Sequence, residues 1–277
     1  MTRLAAALLA VLVLGGCTGS DDPEAAPTPP AATTPSPTST PTSAQAAPRP
    51  EGRACYRLTY PDAVAPTSTV PPSSCSRDHT SLTFFVGELD TLVDGHLLAV
   101  DSDRVQRQVA RECPRRLGSF VGGTLEQRRL SMLRAVWFTP TVEESDAGAN
   151  WFRCDVTAVA GEKELAPLTG RLSGTLGTPA GRSRYAMCGT AEPGSVGFRR
   201  VICSRADQAQ WRALRTVTFR PGDYPGEQRV RSAGEGPCED AGRAAADDPL
   251  DFRWGYEWPR PEQWGNGQTY GICWAPD

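Results

Sequence analysis

Large apolar residues form one continuous run near the start of the chain, vanish from residues 18–50, and return from residue 51 in short periodic stretches. The run spans residues 4–14 behind the single charge of Arg3 and stops at Gly15-Gly16-Cys17. It is too short to cross a hydrocarbon core of roughly 30 Å as a permanent helix, and its basic-then-apolar layout is that of an exported protein's leader. Further on, residues 55–60, 82–86, 133–138, 151–156, 199–203, 213–219 and 252–256 read as strands. Ser102 or Asp103 is placed to cap a helix with Val105, Val109 and Cys113 on one face, and Pro114 is expected to close or kink it. The stretch before Cys238 holds Gly234, Gly236 and Pro237 and supports a helix poorly. Strands and helices mixed without a βαβ rhythm predict an α+β fold.

Residues 18–50 are almost wholly Ala, Pro, Thr and Ser, as in Thr34-Pro-Ser-Pro-Thr-Ser-Thr-Pro41. Such a segment has too little apolar surface to offset the entropy of ordering and reads as a disordered tether. Proline extends it toward polyproline II, with a reach of up to roughly 100 Å at about 3.1 Å per residue. Its Ser/Thr-Pro tracts are also of the kind that accept O-glycans.

The 9 cysteines divide into a lone Cys17 and two quartets, Cys55, Cys75, Cys113, Cys154 and Cys188, Cys203, Cys238, Cys273. Trp151, Gly148, Pro140 and Trp137 precede Cys154 at the offsets at which Tyr270, Gly267, Pro259 and Tyr256 precede Cys273, and Cys75-Ser-Arg77 recurs as Cys203-Ser-Arg205. This self-similarity predicts a duplication, with two tandem disulfide-stapled domains over residues 51–178 and 179–277, each a small, mainly antiparallel sheet with one helix. In an exported chain the quartets imply four disulfides. Zinc is the rival, but even the nearest pair, Cys188 and Cys203, is far wider than a Cys-x₂-Cys knuckle. Three connectivities are open to each quartet. Joining first to second links neighbouring strands, and joining third to fourth ties the helix of Cys113 to the strand of Cys154; these pairings are expected in both halves. Each bridge should contribute roughly 3 to 4 kcal/mol. Gly148 and Gly267 suit a turn into the final strand. Trp151 should then face away from Cys154, and Tyr270 away from Cys273, where each would cover the back of its sheet, pack on the sister domain or offer an interaction surface.

Net charge at pH 7 is −3, and Lys163 is the only lysine. The chain has no basic stripe interleaved with aromatics, which argues against nucleic acid as a partner. No second apolar run is long enough to span a membrane.

Leu14-Gly15-Gly16-Cys17 resembles the lipobox of bacterial lipoproteins. That resemblance implies cleavage before Cys17, acylation of its thiol, and attachment to the outer face of the plasma membrane, which more than one acyl chain makes stable. Each half, with its spaced cysteines, its aromatic and proline before a glycine turn and its terminal Cys strand, resembles the septum-formation domain of actinobacterial envelope proteins. Leu168-Thr-Gly-Arg-Leu-Ser-Gly174 resembles a further strand of that family. Cys75-Ser-Arg-Asp-His79 keeps a family histidine, Leu82 stands where an acidic residue is usual, and the second half has no histidine. The resemblance implies an envelope or division protein as partner.

The sequence holds 2 histidines, His79 and His96, and no Gly-x-Ser-x-Gly elbow, His-Glu-x-x-His site or phosphate loop. Glu143, Glu144 and Asp146 are the carboxylates that a wall-glycan hydrolase or glycan-binding reading would use, but their polar setting reads as a solvated turn. His79 reads as a turn residue. The sequence therefore points to a non-catalytic, cofactor-free, lipid-anchored interaction or sensing module. Cys17→Ser should move the chain from washed membranes to the soluble fraction, and retention of the variant in those membranes would remove the lipid anchor from this reading.

Overall fold

The computed structural model describes residues 46–277 except residue 206, so the leader, Cys17 and the tether up to residue 45 lie outside the described residues. From the N-terminus the elements are β1 (Cys55–Tyr56), α1 (Tyr60–Val64), β2 (Ser81–Glu88), β3 (Leu92–Val93), β4 (His96–Leu97), α2 (Asp103–Val121), α3 (Leu125–Arg129), β5 (Leu133–Phe138), α4 (Val142–Asp146), β6 (Trp151–Gly161) and β7 (Glu164–Ala166). A 3-10 turn at Thr175–Gly177 leads to α5 (Pro179–Arg184), β8 (Met187–Gly189), β9 (Arg200–Ile202), β10 (Trp211–Thr218), α6 (Glu227–Ser232), α7 (Glu235–Ala245), β11 (Gly255–Glu257), α8 (Pro261–Gly265) and β12 (Tyr270–Pro276). The fold is α+β and its sheets are antiparallel. Among the described residues no helix is long and apolar enough to cross a membrane.

One five-stranded sheet runs β1-β2-β6-β5, with β7 paired to β6, the other runs β11-β12-β10-β8-β9, and β3 and β4 pair as a separate two-stranded ribbon. Read from opposite edges, both orders place the last long strand in the sequence of each half second from its edge, flanked by the strand that precedes it and by the long strand before the helix. Local details match as well. The β2–β6 ladder shifts register between Thr83 and Phe85, and the β10–β12 ladder between Ala213 and Arg215. Phe85 lies opposite Cys154 and Arg215 opposite Cys273. Gly148 and Gly267 turn the chain from α4 and α8 into β6 and β12 at φ of 102° and 87°, a region that favours glycine.

Four disulfides staple this frame: Cys55–Cys75, Cys113–Cys154, Cys188–Cys203 and Cys238–Cys273. The second and fourth tie α2 to β6 and α7 to β12.

The two sheets share one core. Leu133, Val156, Ala158, Leu168, Leu172 and Leu176 pack in a single buried cluster with Tyr185, Met187, Ile202, Trp211, Ile272 and Trp274. Ser131 and Ala186 form a β-bridge across the junction, and the Met132 and Met187 amides donate to the Tyr185 and Leu130 carbonyls at 2.7 and 3.0 Å. The described residues accordingly belong to one compact unit. The boundary expected after residue 178 falls where the 3-10 turn meets α5, and apolar contact is continuous there.

Several local expectations change. The strand starting at Cys55 stops at Tyr56, because Thr59 and Asp62 form a capping box that starts α1 with Pro61 in its first turn. α2 does not end at Pro114 but continues to Val121. Leu117, Phe120 and Val121 extend its apolar stripe into the shared core, and this packing offsets the lost backbone bond and ring clash of an interior proline, together about 3 kcal/mol. The helix before Cys238 does form. Pro237 sits in the first turn of α7, where its missing N–H costs nothing, and a side chain at Gly234 would collide with the Tyr256 ring. Residues 168–174 form no strand; Leu168 and Leu172 are plugs in the common core.

Leu176 is fully buried where the sheets meet. Leu176→Ala should cost about 2–5 kcal/mol and lower protection in both sheets together. Hydrogen exchange measured strand by strand checks this, and loss confined to one sheet would mean that the halves unfold independently.

Candidate interaction surface

β6 presents two different buried faces. Phe152, Cys154, Val156 and Ala158 point toward α2 and the shared core, while Trp151, Arg153, Asp155 and Thr157 alternate to the other side. Tyr56, Leu58, Ala63 and Phe138 cover that second side. Beneath them Asp155 is fully buried and accepts hydrogen bonds from Ser81 Oγ at 2.9 Å and Thr83 Oγ1 at 2.7 Å. The Arg153 Nε lies 3.2 Å from Asp155, and its guanidinium is sandwiched between the Tyr56 and Phe138 rings at 3.9 and 4.5 Å. Burial pushes the Asp155 carboxyl up, against the opposing pull of Arg153, Thr83 and Ser81. In sequence this charged alternation looks like a solvent face; only the covering segment makes it internal.

Trp151 and Tyr270 occupy matching places at the starts of β6 and β12 but meet different surroundings. Trp151 is half-buried beside the end of the tether. Its Nε1 donates to the Ala47 carbonyl at 3.4 Å, while Arg49 bonds Glu88 and the Val86 carbonyl on β2 at 3.1 and 3.0 Å. Tyr270 lies against the first half of the chain. The Arg129 guanidinium stacks over its ring at 4.1 Å and donates to Thr218 Oγ1 at 2.9 Å.

Tyr270 also lines a groove of about 310 Å³ with Leu117, Val121, Leu125, Leu133 and Leu176. Arg128, Arg129 and Arg134 line it too, and the sequence reading singled out none of them. Their signal was weak, because arginine is common along this chain, and only the packing of α3 against β10 brings Arg128 and Arg129 together with Arg134 of β5 beside Tyr270.

The other residues considered for chemistry have structural settings. His79 Nδ1 lies 2.8 Å from the Arg77 carbonyl, as in a turn, and His96 is exposed on β4. Thr141 and Glu144 form the capping box that starts α4. The Glu143 carboxyl is held below its ordinary value by its own backbone amide and by Thr141. A general acid in glycoside hydrolysis needs the opposite shift. Five of the bridged cysteines, Cys113, Cys154, Cys188, Cys238 and Cys273, are wholly inaccessible. Among the described residues no group of three His, Cys, Asp or Glu is arranged to hold a metal ion.

A family model described as septum formation matches residues 98–273. The chain belongs to the septum-formation family. The match occurs once, running from the approach to α2 to the bridged cysteine of β12, so it crosses both sheets where one match per half would have left the junction out. No curated protein and no solved structure matches the chain.

Asp155→Asn should destabilise the protein by about 3–5 kcal/mol, because it leaves the buried Arg153 charge without its counter-ion. Asp155→Asn combined with Arg153→Met should recover most of that loss. Denaturant titration with the disulfides intact measures both, and a single variant as stable as the double would show that the pair does not couple.

Proposed function

We propose that this chain is a non-catalytic recognition module of the cell envelope that acts in septum formation, anchored through acylated Cys17 to the outer face of the plasma membrane. The observation that carries the reading is the septum-formation match across a core closed by four disulfides. Bridges of this kind persist in oxidising compartments outside the cytoplasm, in keeping with a leader ahead of them. The tether would let the folded unit meet an envelope or division partner at some distance from the lipid.

The two sheets read as copies of one ancestral unit. Their shared strand order, the register shifts opposite Cys154 and Cys273, and the paired helix-to-strand glycine turns favour that origin. On this reading the copies packed head to tail, with the Tyr270 face of the second against the α2 side of the first. A head-to-tail contact leaves unlike surfaces at its ends and one composite seam between them.

Depletion of the protein in its native host should lengthen cells and delay or misplace septa, as seen by time-lapse microscopy with a fluorescent wall label. Wild-type chain should restore septation and the Cys17→Ser form should restore it incompletely. Normal septa at full depletion would remove the division role; full rescue by the Cys17→Ser form would remove the anchor from the mechanism.

A further inference from the structure

We propose that the groove between the two sheets is a binding site for a phosphate monoester with an apolar tail. This rests on the reading of the chain as a recognition module and names the ligand chemistry of its seam. A volume of about 310 Å³ lies at the lower end of the range of small-molecule sites. Leu117, Val121, Leu125, Leu133 and Leu176 supply an apolar floor, and Arg128, Arg129 and Arg134 supply the charge.

These three guanidiniums are oriented by neutral acceptors. Arg128 donates to the Gly123 carbonyl at 2.6 Å, Arg129 to Thr218 Oγ1 at 2.9 Å, and Arg134 to the Ser131 and Leu133 carbonyls at 2.7 and 2.8 Å. Among the described residues none of the three forms an ion pair, whereas Arg200 and Arg253 pair with Glu257 and Glu192. Glu126 is the carboxylate near Arg129, but it accepts from the Thr216 amide at 2.8 Å and does not line the groove. An arginine carries five donors and keeps its charge, so each retains N–H groups for a ligand. Burial opposes the charge on Arg129 and Arg134 and pushes both below their ordinary value. A counter-ion in the groove would relieve that cost.

Three cations beside one engaged carboxylate favour a dianion over a single carboxylate. A phosphate monoester approaches that charge near neutral pH and accepts the guanidinium fork in bidentate fashion. Gly118 fits the same account: it sits inside α2, where alanine would be preferred by about 1 kcal/mol. A side chain there would come within 3.2 Å of the Arg128 Nε, so the glycine makes room for that guanidinium against the helix.

The test uses the full chain with its bridges intact, held in neutral phosphatidylcholine nanodiscs and titrated calorimetrically with hexyl phosphate, inorganic phosphate, hexanoate and hexanol. Hexyl phosphate should bind at least about tenfold more tightly than each of the other three. Arg134→Gln should weaken it by about tenfold or more at an unchanged melting temperature, while Arg111→Gln, elsewhere on α2, leaves it unaltered. If Arg134→Gln lowers the melting temperature, Arg128→Gln takes its place. Hexanoate or hexanol binding as well as hexyl phosphate would overturn the proposal, as would arginine variants that bind like the wild type. Delayed septation on depletion together with no hexyl phosphate binding would sink this ligand and leave the septal role standing; binding without a septal phenotype would do the reverse.

Discussion

Everything in the first half of the molecule is referred to β6, a central strand buried on both faces. On one side Cys154 is bonded to α2, and Val156 and Ala158 enter the core shared with the second sheet. On the other, Asp155 and Arg153 lie beneath Tyr56 and Phe138, with Ser81 and Thr83 satisfying the carboxylate. A charge pair in that position is costly unless its partners are held in register, so the segment carrying β1 and α1 must close over the sheet for β6 to be stable. The Cys55–Cys75 bridge pins that segment down.

β12 repeats the arrangement with its faces reassigned. Cys273 points to α7 and clusters with Cys238 and Tyr256, while Ile272 and Trp274 point the other way into the common core. The face that in the first sheet holds Trp151, Arg153 and Asp155 is therefore, in the second, the face applied to its neighbour. This explains why the polar residues of β6 have no counterparts on β12. One back is closed by a covering segment and tolerates the Arg153–Asp155 pair, whose carboxylate is satisfied by Ser81 and Thr83 and whose guanidinium lies between two rings; the other must be apolar because it meets Leu133, Val156 and Leu176.

That packing also makes the groove. Tyr270 is at once a core-edge residue and the lip of a cavity whose charged wall comes from α3 and the start of β5. Its counterpart Trp151 sits against the last residues of the tether. A recognition surface at such a seam draws rigidity from both sheets, so the three arginines are held in place without carboxylate partners of their own.

Read alone, the chain determines its α+β class and the existence of most long strands, because alternation and turn residues are local properties. β5 at Leu133–Phe138 coincides with its expected span. The glycine turns at Gly148 and Gly267 were legible for the same reason, since a positive φ restricts the residue type. The equal offsets before Cys154 and Cys273 foretold the common strand geometry. Packing decided the rest. α2 passes through Pro114 and α7 accepts Pro237 because tertiary contacts and first-turn placement override propensity. Residues 168–174 became core plugs because a second sheet lay within reach. The Arg153–Asp155 pair and the arginine wall were hidden for one reason: whether a charge faces water depends on which distant segment covers it, and no local pattern records that.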